Sequence, residues 1–158
     1  MKSNNRWALY LGGTFILVGL LVTFGLVPLP YGNLGQSAAK GAMLYVENCA
    51  SCHGDNLEGQ ADWQTKNSDG ILPAPPHDDS GHTWHHADRL LFDYVKLGGR
   101  AALAQSGVPD FKSGMPGFAE TMTDPDIETV LAFIKSKWPE DIQLIQQKRT
   151  WAAEKTFK

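Results

Sequence analysis

The first apolar block of the chain has no period because it has no polar face. Residues 7–27, WALYLGGTFILVGLLVTFGLV, are 21 consecutive uncharged positions. At 1.5 Å per residue such a helix spans about 30 Å, the hydrocarbon thickness of a bilayer. Trp7 and Tyr10 stand at its start and Tyr31 just past its end, where interfacial aromatics collect. A cleaved signal peptide would carry a shorter apolar region of about 7–15 residues with a small-x-small site close behind it. Here the first such site, Ser37-Ala38-Ala39, comes ten residues after the run. The pattern therefore predicts an uncleaved anchor in residues 1–30. Lys2 and Arg6 place its N-terminus in the cytoplasm and the rest of the chain on the outer side.

Beyond a turn-rich linker, residues 31–37, the rhythm becomes helical. Ser37 is a cap for a helix reaching about Asn48, with Gly41, Leu44 and Tyr45 on one face. A glycine there, followed one turn later by an aromatic, suits a close helix crossing. Residues 54–86 show no sustained period and hold Pro73, Pro75, Pro76 and four histidines, His77, His82, His85 and His86. A loop this long in a small domain is functional or wrapped around something. Residues 87–97, ADRLLFDYVKL, read as a second helix with Leu90, Leu91, Tyr94 and Val95 inward, ended by Gly98-Gly99. Residues 100–122 read as another loop. Thr123 caps a third helix with Pro125 in its first turn, where Asp124 and Asp126 favour the positive end of the dipole. Ile127, Val130, Leu131 and Ile134 repeat at helical spacing, flanked by Phe133, and Trp138-Pro139 closes the element. Residues 140–158 predict a further, weakly amphipathic helix. The whole reads as all-α: an anchor at 1–30, a domain at 38–139 and a helical extension at 140–158.

The chemistry lies in Cys49-Ala50-Ser51-Cys52-His53. The pattern C-x-x-C-H is the attachment signal of a c-type haem. Each thiol adds to one vinyl group of the porphyrin, and the adjacent histidine lies under the iron as its proximal ligand. A thioredoxin-type pair would need a βαβ pattern nearby, and a four-cysteine zinc site would need more than the two cysteines present. The proline-rich run can bring a backbone carbonyl to the imidazole N–H, from Pro73 or from Pro75.

Composition changes this picture only at its edges. The chain has 158 residues, a net charge of −3 and a pI near 5.9, which carries no nucleic-acid signature. All 17 acidic residues but only 12 of the 14 basic ones follow Pro30, so the external part is the more acidic. A domain this small has a marginal core, and a covalent haem supplies a large apolar object to fold around.

Taken in order, the helix with Gly41 and Tyr45, CASCH, a loop, a middle helix, Ser113-Gly114-Met115-Pro116-Gly117-Phe118 and a last helix with Phe133 resemble a class I c-type cytochrome over about residues 38–138. The resemblance implies a haem cup of three main helices, crossing where Gly41, Tyr45 and Phe133 stand. It also implies one haem c on Cys49 and Cys52, with His53 and Met115 as axial ligands. Beside it stands a physical argument: a thioether is a soft neutral donor that favours ferrous iron and raises the potential.

The implied activity is single-electron transfer rather than catalysis. Expected partners are a quinol-oxidising complex, a terminal oxidase or a photosynthetic reaction centre, met at the periplasmic face of a bacterial inner membrane, either as a free carrier or as a subunit. Two alternatives remain open on the residues. One is a haem enzyme or gas sensor with a vacant iron position. The other is a copper-handling module on His77, His82, His85 and His86, since imidazole suits that metal. The loop histidines are also rival sixth ligands. Trp63, Trp84 and Arg100 are candidate propionate partners.

Overall fold

The computed structural model describes residues 32–156, and no strand occurs among them. The expected anchor in residues 1–30 lies outside the described residues. No helix among those described is long and apolar enough to cross a membrane. Residues from Ser37 onward belong to one compact unit.

Among the described residues six α-helices and one 3₁₀ turn follow one another: α1 (Gly32–Asn48), α2 (Ala50–His53), the 3₁₀ turn (Thr83–His85), α3 (Asp88–Leu97), α4 (Gly99–Gln105), α5 (Asp124–Ser136) and α6 (Glu140–Thr156). Helix α1 starts earlier than its expected Ser37 cap, within the stretch read as linker. Between Pro30 and Asn48 no residue lacks an amide N–H, so no proline bars the helix from Gly32 onward. The other departure is α4, in a segment read as loop. Its sequence GRAALAQ is rich in strong helix formers, and Gly98, at φ +84°, turns the chain between α3 and α4 without ending the helical region.

The core is built on the predicted faces. Ile127, Val130, Leu131 and Ile134 of α5, Leu91 and Val95 of α3, and Tyr45 of α1 are all buried. The expected crossing is present. A Cβ placed on Gly41 would stand 2.7 Å from the Thr129 carbonyl oxygen and 2.8 Å from the Phe133 Cβ, so α1 touches α5 through bare backbone. One turn on, the Tyr45 and Phe133 rings pack at 5.5 Å. Helix α5 begins with a reciprocal capping box: the Thr123 hydroxyl accepts from the Asp126 amide, and the Asp126 carboxylate accepts from the Thr123 amide. That carboxylate also pairs with Lys40 of α1 at 2.6 Å, tying the two helices beside their crossing.

Helix α6 is fastened by polar contacts. Gln146, only 3% exposed, donates through Nε2 to the Asp88 carboxylate at 2.6 Å and lies 3.2 Å from the His86 carbonyl. The Asp88 amide donates to Thr150 Oγ1 at 3.0 Å. The extension thus holds the start of α3 and the end of the histidine-bearing loop.

Candidate functional site

Cys49 follows α1 directly, and Ala50, Ser51, Cys52 and His53 form the single turn α2. The amides of Cys52 and His53 both donate to the Cys49 carbonyl, so the motif is a helical turn with its side chains at fixed spacing. Cys49 is half-buried against the core, Cys52 is exposed, and both thiols are free. Burial, and secondarily Cys52, pushes the Cys49 thiol up to about 11. A thioether is neutral and occupies the same place without that desolvation cost. Tyr45, whose own acidity is suppressed first by burial, donates its hydroxyl proton to the Gly54 carbonyl at 2.9 Å and fastens the chain just past His53.

His53 is buried, and its Nδ1 lies 2.8 Å from the Pro75 carbonyl oxygen. A carbonyl only accepts, so Nδ1 carries the proton and Nε2 keeps its lone pair for a metal. Between the two prolines the sequence left open, the structure selects Pro75. The selection comes from the loop's own bonding. The Gly59 amide donates to the His53 carbonyl at 2.7 Å, Gln60 and Ala74 exchange two hydrogen bonds at 2.9 Å, and the His77 amide donates to the Leu57 carbonyl at 2.7 Å. Gly59 has φ +69°, and a Cβ there would collide with the Pro75–Pro76 backbone. This glycine lets the proline run lie directly beneath His53.

Met115 is partly buried and packs against the same core cluster as Cys49. Its loop is clamped backbone to backbone on the end of α3. The Gly99 amide donates to the Met115 carbonyl at 3.1 Å, Phe118 to Val95 at 2.9 Å, and Ala119 to Lys96 at 3.1 Å. A Cβ on Gly98 would stand 2.7 Å from the Gly117 nitrogen, and one on Gly117 would stand 2.7 Å from the Leu97 carbonyl carbon. Two glycines thus let the loop lie flush, and Ser113 Oγ accepts from the Met115 amide at 3.2 Å.

The loop histidines are engaged elsewhere. His82 stacks on Trp63 at 5.3 Å, His85 on Trp84 at 3.7 Å, and His82 meets His86 edge-on. Arg149 Nη2 of α6 lies 3.4 Å from His85 Nδ1. Among the described residues no group of three His, Cys, Asp or Glu side chains is placed to hold a metal ion. Burial first, then the neighbouring histidines, lowers the His82 and His86 pKa values below their usual range, and Arg149 adds to this at His86. The Trp84 indole N–H donates to the Asp79 carbonyl at 3.3 Å, and Arg100 is exposed at the start of α4. His77 lies apart from this group. Its ring stacks on His53 at 3.9 Å with 18° between the planes. The sequence gives no hint of that contact.

A family model described as Cytochrome c matches residues 38–138, well over half of the chain. The chain belongs to the cytochrome c family. Comparisons with curated proteins and with solved structures each gave no match. Membership brings a covalently attached haem c, with Cys49 and Cys52 in the C-x-x-C-H positions, and electron transfer as the general role. The residues present fit that group: two free thiols on one turn, and an imidazole whose second nitrogen is already committed to a carbonyl.

Proposed function

We propose that this cytochrome is a membrane-anchored, one-electron carrier facing the periplasm, with His53 and Met115 as its axial ligands. The observation that carries the ligand assignment is the His53–Pro75 bond, which fixes the imidazole tautomer, together with a methionine loop clamped to rigid backbone. The haem supplies exchange between ferric and ferrous iron. The protein's share is to hold two ligands fixed in both states, set the potential and keep water away. His53 is held by its carbonyl acceptor. Met115 is held by a loop whose carbonyl and amide are both bonded, so little has to move when charge changes.

The anchor reading rests on residues 7–27. Tethering confines the domain near membrane partners and raises its effective concentration there. A quinol-oxidising complex upstream and a terminal oxidase or photosynthetic reaction centre downstream suit such a carrier, which serves equally as a fixed subunit of one of them. A filled sixth position also favours a carrier over an enzyme or gas sensor.

Two measurements test the proposal. The oxidised protein should show the weak charge-transfer band at the red edge of the visible spectrum expected of Met-ligated cytochromes c, and its absence would remove Met115 from the iron. Deleting residues 1–30 behind a cleavable export signal should release a soluble red protein with an unchanged spectrum. A truncated protein that stays in the membrane fraction would show that another surface holds it there.

A further inference from the structure

We propose that His77 is a positioning residue for the iron's imidazole ligand, its ring stacked face to face on His53 so that the plane of the proximal imidazole is fixed. The inference rests on the reading of His53 as an axial ligand. The bond from Nδ1 to Pro75 sets which nitrogen faces the iron, but a single hydrogen bond leaves the ring free to rock about its long axis. A flat surface 3.9 Å away, inclined by only 18°, removes that freedom.

For this purpose the second ring must itself be immobile, and His77 is held through its amide, its carbonyl and one ring nitrogen. Its amide donates to the Leu57 carbonyl at 2.7 Å, and its carbonyl accepts the Trp138 indole N–H at 2.7 Å. Its Nδ1 lies 2.8 Å from the hydroxyl of buried Thr83. That hydroxyl donates its one proton toward the Pro76 carbonyl at 3.4 Å, so it accepts from His77. The Tyr45 ring closes the edge at 6.5 Å and 71°. Trp138 and Thr83 belong to the end of the α5 region and to the 3₁₀ turn, so two distant parts of the chain meet on this one residue, Trp138 at its backbone and Thr83 at its ring.

The plane of a proximal imidazole governs its overlap with the iron d orbitals, and its hold on the Pro75 carbonyl governs its donor strength. Freed of its stack, His53 should swing, lengthen the Pro75 bond and donate less well. Ferric iron then loses stabilisation and the midpoint potential rises.

The test uses the full-length, haem-loaded protein and its His77→Leu and His77→Phe variants. Leucine fills the space without a flat face, and phenylalanine restores the face without the Thr83 bond. The expected result is a broadened, shifted low-spin ferric electron paramagnetic resonance signal and a raised midpoint for His77→Leu, with His77→Phe, which keeps a face but loses the bond that fixes its plane, falling between His77→Leu and wild type. Wild-type signal and midpoint in His77→Leu would overturn the proposal by reducing His77 to filler. Should the His77 variants fail to mature with haem, Thr83→Val leaves the ring in place and removes the bond that fixes its plane. A broadened signal there supports the proposal and an unchanged one overturns it. A wild-type protein lacking a low-spin histidine-ligated signal would instead refute the ligand assignment beneath it.

Discussion

Gly41 of α1 lies against Thr129 of α5 so closely that a Cβ would stand 2.7 Å from the Thr129 carbonyl oxygen. The obstacle is backbone, which cannot rotate aside as a side chain would. In an isolated helix Gly→Ala would gain up to ~1 kcal/mol in propensity. Forcing a methyl into a packed contact costs about 1–3 kcal/mol. The second effect should win, so Gly41→Ala should lower the guanidinium unfolding midpoint of the haem-loaded protein, and Gly41→Val should lower it further. A midpoint at or above wild type would mean that the helices part easily at this point.

The Pro75 carbonyl cannot be removed by changing Pro75, but it can be moved. Gly59 sits at φ +69° with the Pro75–Pro76 backbone over its Cα. Gly59→Ala should cost about 1–2 kcal/mol from its left-handed conformation alone. It should also push the carbonyl off His53. The imidazole then becomes a weaker donor, and redox titration should read a higher midpoint. An equal loss of stability with an unmoved midpoint would show that the proline run gives way in some direction that spares the bond.

These two glycines mark how far the sequence could be read. Gly41 and Tyr45 were legible because helical periodicity places them on one face, and Phe133 as their partner was implied by the resemblance to class I c-type cytochromes. The haem motif was legible because its chemistry needs adjacent residues. Pro75 was not distinguishable from Pro73, since the choice depends on a loop folded by Gly59, Gln60 and Ala74 across the chain. Helix α4 was hidden because Gly98-Gly99 reads as a stop, although the Ala-Ala-Leu-Ala within it favours a helix. The stacks of His53 on His77 and of His82 on Trp63 join residues far apart in the chain, so no periodicity points to them.

Met115 should set the potential. Met115→His offers iron a stronger σ-donor that favours the ferric state, so the midpoint should fall. Met115→Ala should open the iron to water, cyanide or carbon monoxide. Pro116→Ala should loosen the loop and weaken the thioether bond without abolishing it. The rival assignment forecasts the reverse: Met115→Ala would leave spectrum and midpoint untouched, and one substitution among His77, His82, His85 and His86 would convert the spectrum to that of another ligand. Redox titration of the five single variants separates the two. Here a broadened, methionine-ligated spectrum in a His77 variant counts as displacement of His53 and not as loss of a sixth ligand.

Asp126 makes stability depend on pH at the acid end. Lys40, first, and then Thr123 hold its carboxyl down at about 2, below the usual carboxylate range. Only the ionised form pairs with Lys40, and it accepts more strongly than the protonated form from the Thr123 amide. A depressed acid stabilises the fold above its unfolded pKa, near 3.9, and loses that contribution as pH falls through its folded value. The unfolding midpoint of Asp126→Asn should therefore lie below wild type at about pH 6, approach it below about pH 4 and meet it near pH 2. A gap that persists at the lowest pH would assign the difference to packing of the side chain and not to its charge.

Gln146 offers a way to ask what the C-terminal extension does. It is buried, and its amide donates to the Asp88 carboxylate at 2.6 Å with the His86 carbonyl 3.2 Å away. Hydrogen bonds to a charged group contribute about 1.5–3 kcal/mol, so Gln146→Ala should destabilise by roughly that amount. Asp88 keeps Lys135 at 2.9 Å, so its carboxylate is not stranded and α3 should still form. The loss should instead appear locally. Amide exchange should quicken in α6 and in the segment from Thr83 to Asp88, whose end α6 holds, while the α1–α5 crossing stays protected. If Gln146→Ala also shifts the haem midpoint, the disturbance has travelled through Thr83 to His77. If exchange quickens evenly across the whole domain, α6 is part of one cooperative unit with the haem cup and not a separable brace.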